Sequence, residues 1–127
     1  MKPENLTPNM VIDEFQRFLA ACQALLDHHH DTKFPTLGRE VLRVDKGRRF
    51  YKMVREELEE NGSVRPGSGY VWAFVEIATG DVLRPATFAK PAFHTTPLAG
   101  RRGAKELNLF DDDIDEKMTP YGPPYHV

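Results

Sequence analysis

The apolar residues of this chain change period once, and that change limits the fold more than any other feature of the sequence. Val11, Phe15, Phe18, Cys22 and Leu25 step along the chain by 4, 3, 4 and 3, and Ile12, Leu19 and Leu26 widen the stripe. That spacing is helical. Thr7 suits an N-cap and Pro8 a first helical residue. A helix is therefore expected over 8–30, with His28, His29 and His30 at its end, where a protonated imidazole suits the dipole. Its broad stripe can serve a sheet and a second subunit at once. Phe34-Pro35 and Gly38 break the chain. From Glu40 the period is two, and strands are expected over 40–44, 49–55, 70–77 and 82–88. Lys46-Gly47 turns between the first pair, and 78–81 turns the last pair into a hairpin. Tyr51 and Met53 fall on one face of their strand, opposite Phe50, Lys52 and Val54. Tyr70, Trp72 and Phe74 fall on one face of theirs. Pro85 marks an edge or a bulge.

These signals define an α+β fold: a long N-terminal helix packed on a small antiparallel sheet of four to six strands over 39–90. A loop-rich, irregular C-terminal arm over 91–127 follows, all within a single domain, 1–127. In that arm 104–109 suits one helical turn, 111–116 a solvated acidic stretch, and the Pro-rich end from Thr119 an extended tail. The 127 residues suffice for one core.

Composition narrows the function. Apolar residues make up 40% and charged residues 28%, which suits a folded chain. No window approaches a membrane span, and MKPENLTPNM lacks a signal peptide's apolar run. Cys22 is the only cysteine, so no internal disulfide framework or multi-cysteine zinc site is expected. It lies on the apolar helix face, as a buried structural thiol would. Ser63 and Ser68 lack the strand-turn-helix setting of a nucleophile elbow. Asp111, Asp113 and Asp115 alternate as in a calcium loop, but Glu116 stands where that loop needs glycine. Three consecutive histidines on a helix point in different directions and make a poor metal site. No catalytic residue, metal or cofactor is assigned.

Two groups of residues suit a ligand. Phe88 ends a strand and is followed by Lys90, Arg101, Arg102 and Asn108. Together they offer a π-face, cations and an amide, the three things a nucleotide uses. The net charge of −2 also hides a basic run, Arg48, Arg49, Lys52 and Arg55. With Tyr70, Trp72 and Phe74 it could serve a single nucleic-acid strand by stacking and phosphate contact.

A resemblance joins the first group. The runs Arg49-Phe-Tyr-Lys-Met-Val-Arg55, Val71-Trp-Ala-Phe-Val75 and Thr79-Gly-Asp-Val-Leu-Arg-Pro-Ala-Thr-Phe-Ala-Lys-Pro-Ala92, with Pro120-Tyr-Gly-Pro-Pro-Tyr125, resemble a set of small phage proteins. That set includes the Thoeris anti-defence proteins of the first type. The resemblance implies a sponge that sequesters a cyclic ADP-ribose isomer, or cyclic di- and trinucleotides, without cleaving it. It implies homodimers or hexamers (trimers of dimers) in the cytoplasm of an infected bacterial host, with no membrane partner. Phe88 matches the stacking aromatic, and Arg102-Gly103 the start of an arginine-glycine-asparagine element. The chain departs from that element at Ala104, and its nearest Asn-Leu-Phe-Asp run begins at Asn108. The expected ligand contacts are thus Phe88, Lys90, Arg101, Arg102, Asn108, Trp72 and Phe74. The competing functions are the single-strand binder, using the basic run, and a virion assembly component.

Overall fold

The computed structural model of the chain describes residues 4–33, 38–88, 90–92 and 107–123. Helix α1 runs over Pro8–Lys33. Thr7 caps it: its Oγ1 accepts the Met10 N–H at 3.3 Å, and its carbonyl accepts the Val11 N–H. The helix outlasts the expected 8–30 because nothing before Phe34-Pro35 forbids helical backbone. Thr32 adds a hydroxyl bond to the His28 carbonyl at 2.8 Å. Val11, Phe15, Phe18, Cys22 and Leu26 form its buried stripe.

Among the described residues six strands follow: β1 (Glu40–Lys46), β2 (Phe50–Glu57), β3 (Tyr70–Glu76), β4 (Asp81–Pro85), β5 (Pro91–Ala92) and β6 (Leu107–Asn108). Among the described residues all pairings are antiparallel. The order is β1-β2-β3-β4, with β5 and β6 both on the far edge of β4. The architecture is α+β. β1 and β2 reach further than the 40–44 and 49–55 expected, pairing from Glu40↔Glu57 to Lys46↔Tyr51. The β3–β4 hairpin is present, and its turn ends at Gly80, whose φ of 78° favours glycine. β4 stops at Pro85 instead of 88. Pro85 has no N–H to donate, and the Ala86 and Thr87 N–H groups turn to the Lys90 carbonyl at 2.9 and 3.1 Å.

One face of the sheet packs under α1. Tyr51, Met53, Trp72, Ala73, Val75 and Val82 meet Val11, Phe15, Phe18 and Cys22 there. The Phe15 and Tyr51 rings stack at 4.2 Å. The other face carries a smaller cluster, Val71, Phe74 and Leu83 with Phe50. The two faces correct the sequence reading of β3. Met53 pairs with Ala73 but Val54 with Val71, so Trp72 is an extra residue in a β-bulge. The bulge breaks the alternation, sending Trp72 toward α1 and Phe74 to the opposite face. Tyr70, Trp72 and Phe74 are not one aromatic face.

The C-terminal arm is also more structured than expected. The helical turn proposed over 104–109 is replaced at 107–108 by β6, paired with β4; residues 104–106 lie outside those described. The acidic stretch holds a one-turn helix, α2 (Ile114–Lys117), whose Ile114 joins Leu109 and Met118 in the main core. Asp115 ties α2 to Arg17 of α1 at 2.7 Å. Thr119 and Gly122 then exchange backbone hydrogen bonds at 3.0 and 3.1 Å, a turn where an extended tail was expected. Among the described residues no helix is long and apolar enough to cross a membrane.

Candidate functional site

Alternation along β2 turns Lys52 away from α1, onto the face of Phe50 and Phe74. The reversal at Ala86–Lys90, which follows Pro85, presents Phe88 with 58% of its surface exposed. These two local outcomes bring residues of both expected groups together. The Lys52 ammonium lies 3.5 Å from the centre of the Phe88 ring, a cation–π contact. Lys90, two residues on, is exposed, and its N–H bonds the Thr87 hydroxyl at 3.1 Å.

Beside Lys52 the β1–β2 turn frames a cleft of about 280 Å³, walled by Phe50 and Phe74 and rimmed by Asp45, Lys46, Arg48 and Arg49. Phe74 is 3% exposed, so it serves as a wall, not a free stacking platform. The Phe50 and Phe74 rings meet edge to face at 5.8 Å. Arg49 is held by Glu76 at 2.8 Å and lies 4.9 Å from the Phe50 ring centre. Arg48 is exposed and has no carboxylate partner among the described residues.

Three expected contacts belong to the framework instead. Arg55 is 7% exposed. Its guanidinium bonds Glu40 of β1, the Tyr70 hydroxyl and, at 2.9 Å, the Pro120 carbonyl. It faces α1's side of the sheet and cannot join Lys52 in a basic stripe. Trp72 is buried, with its indole N–H donated to the same Pro120 carbonyl at 3.0 Å. Asn108 is buried too. Its amide N–H groups bond the Thr79 carbonyl and Asp81, both at 2.9 Å, and its amide oxygen accepts the Phe110 N–H at 2.9 Å. Those bonds lock the β3–β4 turn and use both amide hydrogens and the amide oxygen. Arg101 and Arg102 lie outside the described residues.

Other candidates stay bland. Burial pushes the Cys22 thiol far up, the mark of an inert structural cysteine. Burial likewise raises the Tyr70 phenol, against the lowering effect of Arg55. Asp111 accepts the Asn108 N–H, Asp113 pairs with Lys117 and Asp115 with Arg17. Among the described residues no group of three metal-ligating side chains converges. The residues missed as site components are Lys46 and Phe50. The period-two pattern of β2 puts Phe50 and Lys52 on one face.

Fold and site together define a small α+β protein with an aromatic and cationic patch on the sheet face away from its helix. Residues 8–97 match the family of unknown function DUF7717, and the chain belongs to that family. No curated protein and no solved structure matches it.

Proposed function

We propose that this chain is a non-catalytic nucleotide-binding protein that sequesters a cyclic nucleotide signal, as the resemblance to phage anti-defence sponges implies. The observation that carries the reading is Lys52 over the exposed ring of Phe88. A nucleotide needs a flat apolar surface for its base and a cation for its phosphate, and this pair offers both within one contact. Stacking on Phe88 is worth about 1–3 kcal/mol, and a charge-assisted bond from Lys52 about 1.5–3 kcal/mol. Nanomolar capture needs about −12 kcal/mol. The difference requires enclosure, which a second subunit in a homodimer or hexamer would supply, and further cations, among them Arg101 and Arg102. Asn108, Trp72 and Arg55 take no part in this reading, because their polar groups are spent within the fold.

A thermal melting scan tests it against cyclic ADP-ribose isomers, cyclic di- and trinucleotides and a short oligo-dT. Ligand at 100 times its dissociation constant adds about 2.7 kcal/mol, several degrees for a chain of this size. The expected result is a shift with a cyclic nucleotide that disappears in Phe88→Ala. A shift with oligo-dT alone would replace the reading with strand binding. No shift with any of them would overturn it.

A further inference from the structure

Most arginines of this protein are already matched. Arg17, Arg39, Arg43, Arg49, Arg55 and Arg65 each hold a carboxylate. Lys46, Arg48 and Lys52 hold none among the described residues; Arg48 and Lys52 line the cleft beside the β1–β2 turn, where Lys46, paired with Tyr51, stands at the rim on the α1 side. The carboxylate in that lining, Asp45, is paired with Arg43, which Glu56 also holds. Arg48 and Lys52, without carboxylate partners among the described residues, leave a positive charge in a concavity walled by Phe50 and Phe74, and the apolar walls weaken the screening between them. An anion offsets that charge. The Arg48 fork and the Lys52 ammonium suit phosphate oxygens, which accept several charge-assisted hydrogen bonds at once. Lys52 belongs both to the cleft and to the Phe88 contact, so one ligand can reach both.

We infer that the cleft at the β1–β2 turn is a phosphate subsite, in which Arg48 and Lys52 hold a group bearing two phosphate charges on the ligand whose ring stands on Phe88. The inference rests on the nucleotide reading for the ring, but not for the anion. Inorganic pyrophosphate is therefore the probe that separates them.

The test is calorimetric titration of wild type, Arg48→Ala, Arg48→Lys and Phe88→Ala at two salt concentrations. The titrants are pyrophosphate, a cyclic dinucleotide and a short oligo-dT. Arg48 and Phe88 are exposed, so melting temperatures should stay near wild type. Arg48→Ala is expected to weaken pyrophosphate and the dinucleotide about tenfold. It should also lower the slope of log affinity against log salt by about one. Arg48→Lys should restore that slope. Phe88→Ala should weaken the dinucleotide alone. Pyrophosphate that fails to bind wild type, or binds Arg48→Ala equally well, overturns the subsite. Dinucleotide binding that needs Phe88 but not Arg48 overturns it while leaving the nucleotide reading intact. Arg48-dependent binding of pyrophosphate without any nucleotide binding upholds the subsite and removes the nucleotide reading. Tighter Arg48-dependent binding of oligo-dT than of the dinucleotide upholds the subsite and assigns its phosphates to a nucleic-acid strand.

Discussion

Cys22 sits at 2% exposure on the sheet side of α1, and burial holds its thiol far above the ordinary value of about 8.5. Below about pH 8 the thiol is protonated whether the chain is folded or not. Above about pH 8.5 the unfolded chain loses that proton while the folded chain keeps it. The unfolded state then binds fewer protons, and stability falls as pH rises. This group should cost wild type up to about 1.4 kcal/mol per pH unit between pH 9 and 10, a slope missing from Cys22→Ala. Urea titrations at pH 7.5, 9 and 10 check it, and parallel pH dependence in the two proteins would contradict it. Arg55 shows the same dependence on place. It belongs to the basic run that also supplies Arg48, yet it is buried against Glu40, Tyr70 and Pro120. Truncation leaves Glu40 without its partner, so Arg55→Ala should lose about 3–5 kcal/mol in urea unfolding. A loss below about 1 kcal/mol would mean that the pair is effectively solvated. Arg48→Ala, by contrast, should act on anion affinity and not on stability.

At the scale of elements, the helix and the first hairpin were legible because each is governed by local chemistry. Thr7 and Pro8 fix the start of α1, while its end, expected at residue 30, falls three residues later at Lys33. The alternation of Tyr51 and Met53 against Phe50 and Lys52 fixes which face of β2 meets the helix. The aromatic face of β3 was not legible, because one extra residue, Trp72, changes the side on which Phe74 falls. Nothing in a run of six apolar residues shows where a bulge will come. The arm hid its order for a different reason. Ile114 and Met118 are isolated apolar residues among acids and find their partners on α1, far away in sequence. Asn108 looked like a ligand amide because a loop asparagine and a turn-locking asparagine read alike until the Thr79 carbonyl and Asp81 are seen beside it. The turn at 119–122 rests on a steric requirement. Gly122 has φ 101°, and a Cβ there would run into the Trp72 carbonyl. Gly122→Ala should therefore cost at least about 1–3 kcal/mol. It should also move Trp72 fluorescence to the red as the Pro120 carbonyl leaves the indole. Unchanged stability and emission would show that the turn yields freely.

For the molecule as a whole, α1 covers one face of the sheet and builds the main core, leaving the other face to a small cluster and a cationic rim. Phe88 and Lys90 hang on the reversal after β4, and Lys52 on the middle of β2. The site thus depends on the sheet for its spacing and on a turn for its aromatic. That division predicts that Phe88→Ala changes binding with little effect on folding. Fold class followed from periodicity, and the choice of Phe88 and Lys52 from residue chemistry; what brings them together is the outward register of β2. On the proposed function, this face captures a nucleotide and does not convert it. Native mass spectrometry after incubation with cyclic nucleotides tests this most directly, with the ligand released by denaturation and weighed. The expected result is a stoichiometric adduct whose ligand is recovered at its original mass, and loss of the adduct in Phe88→Ala. No adduct with wild type, or recovery of a cleaved ligand, would contradict it.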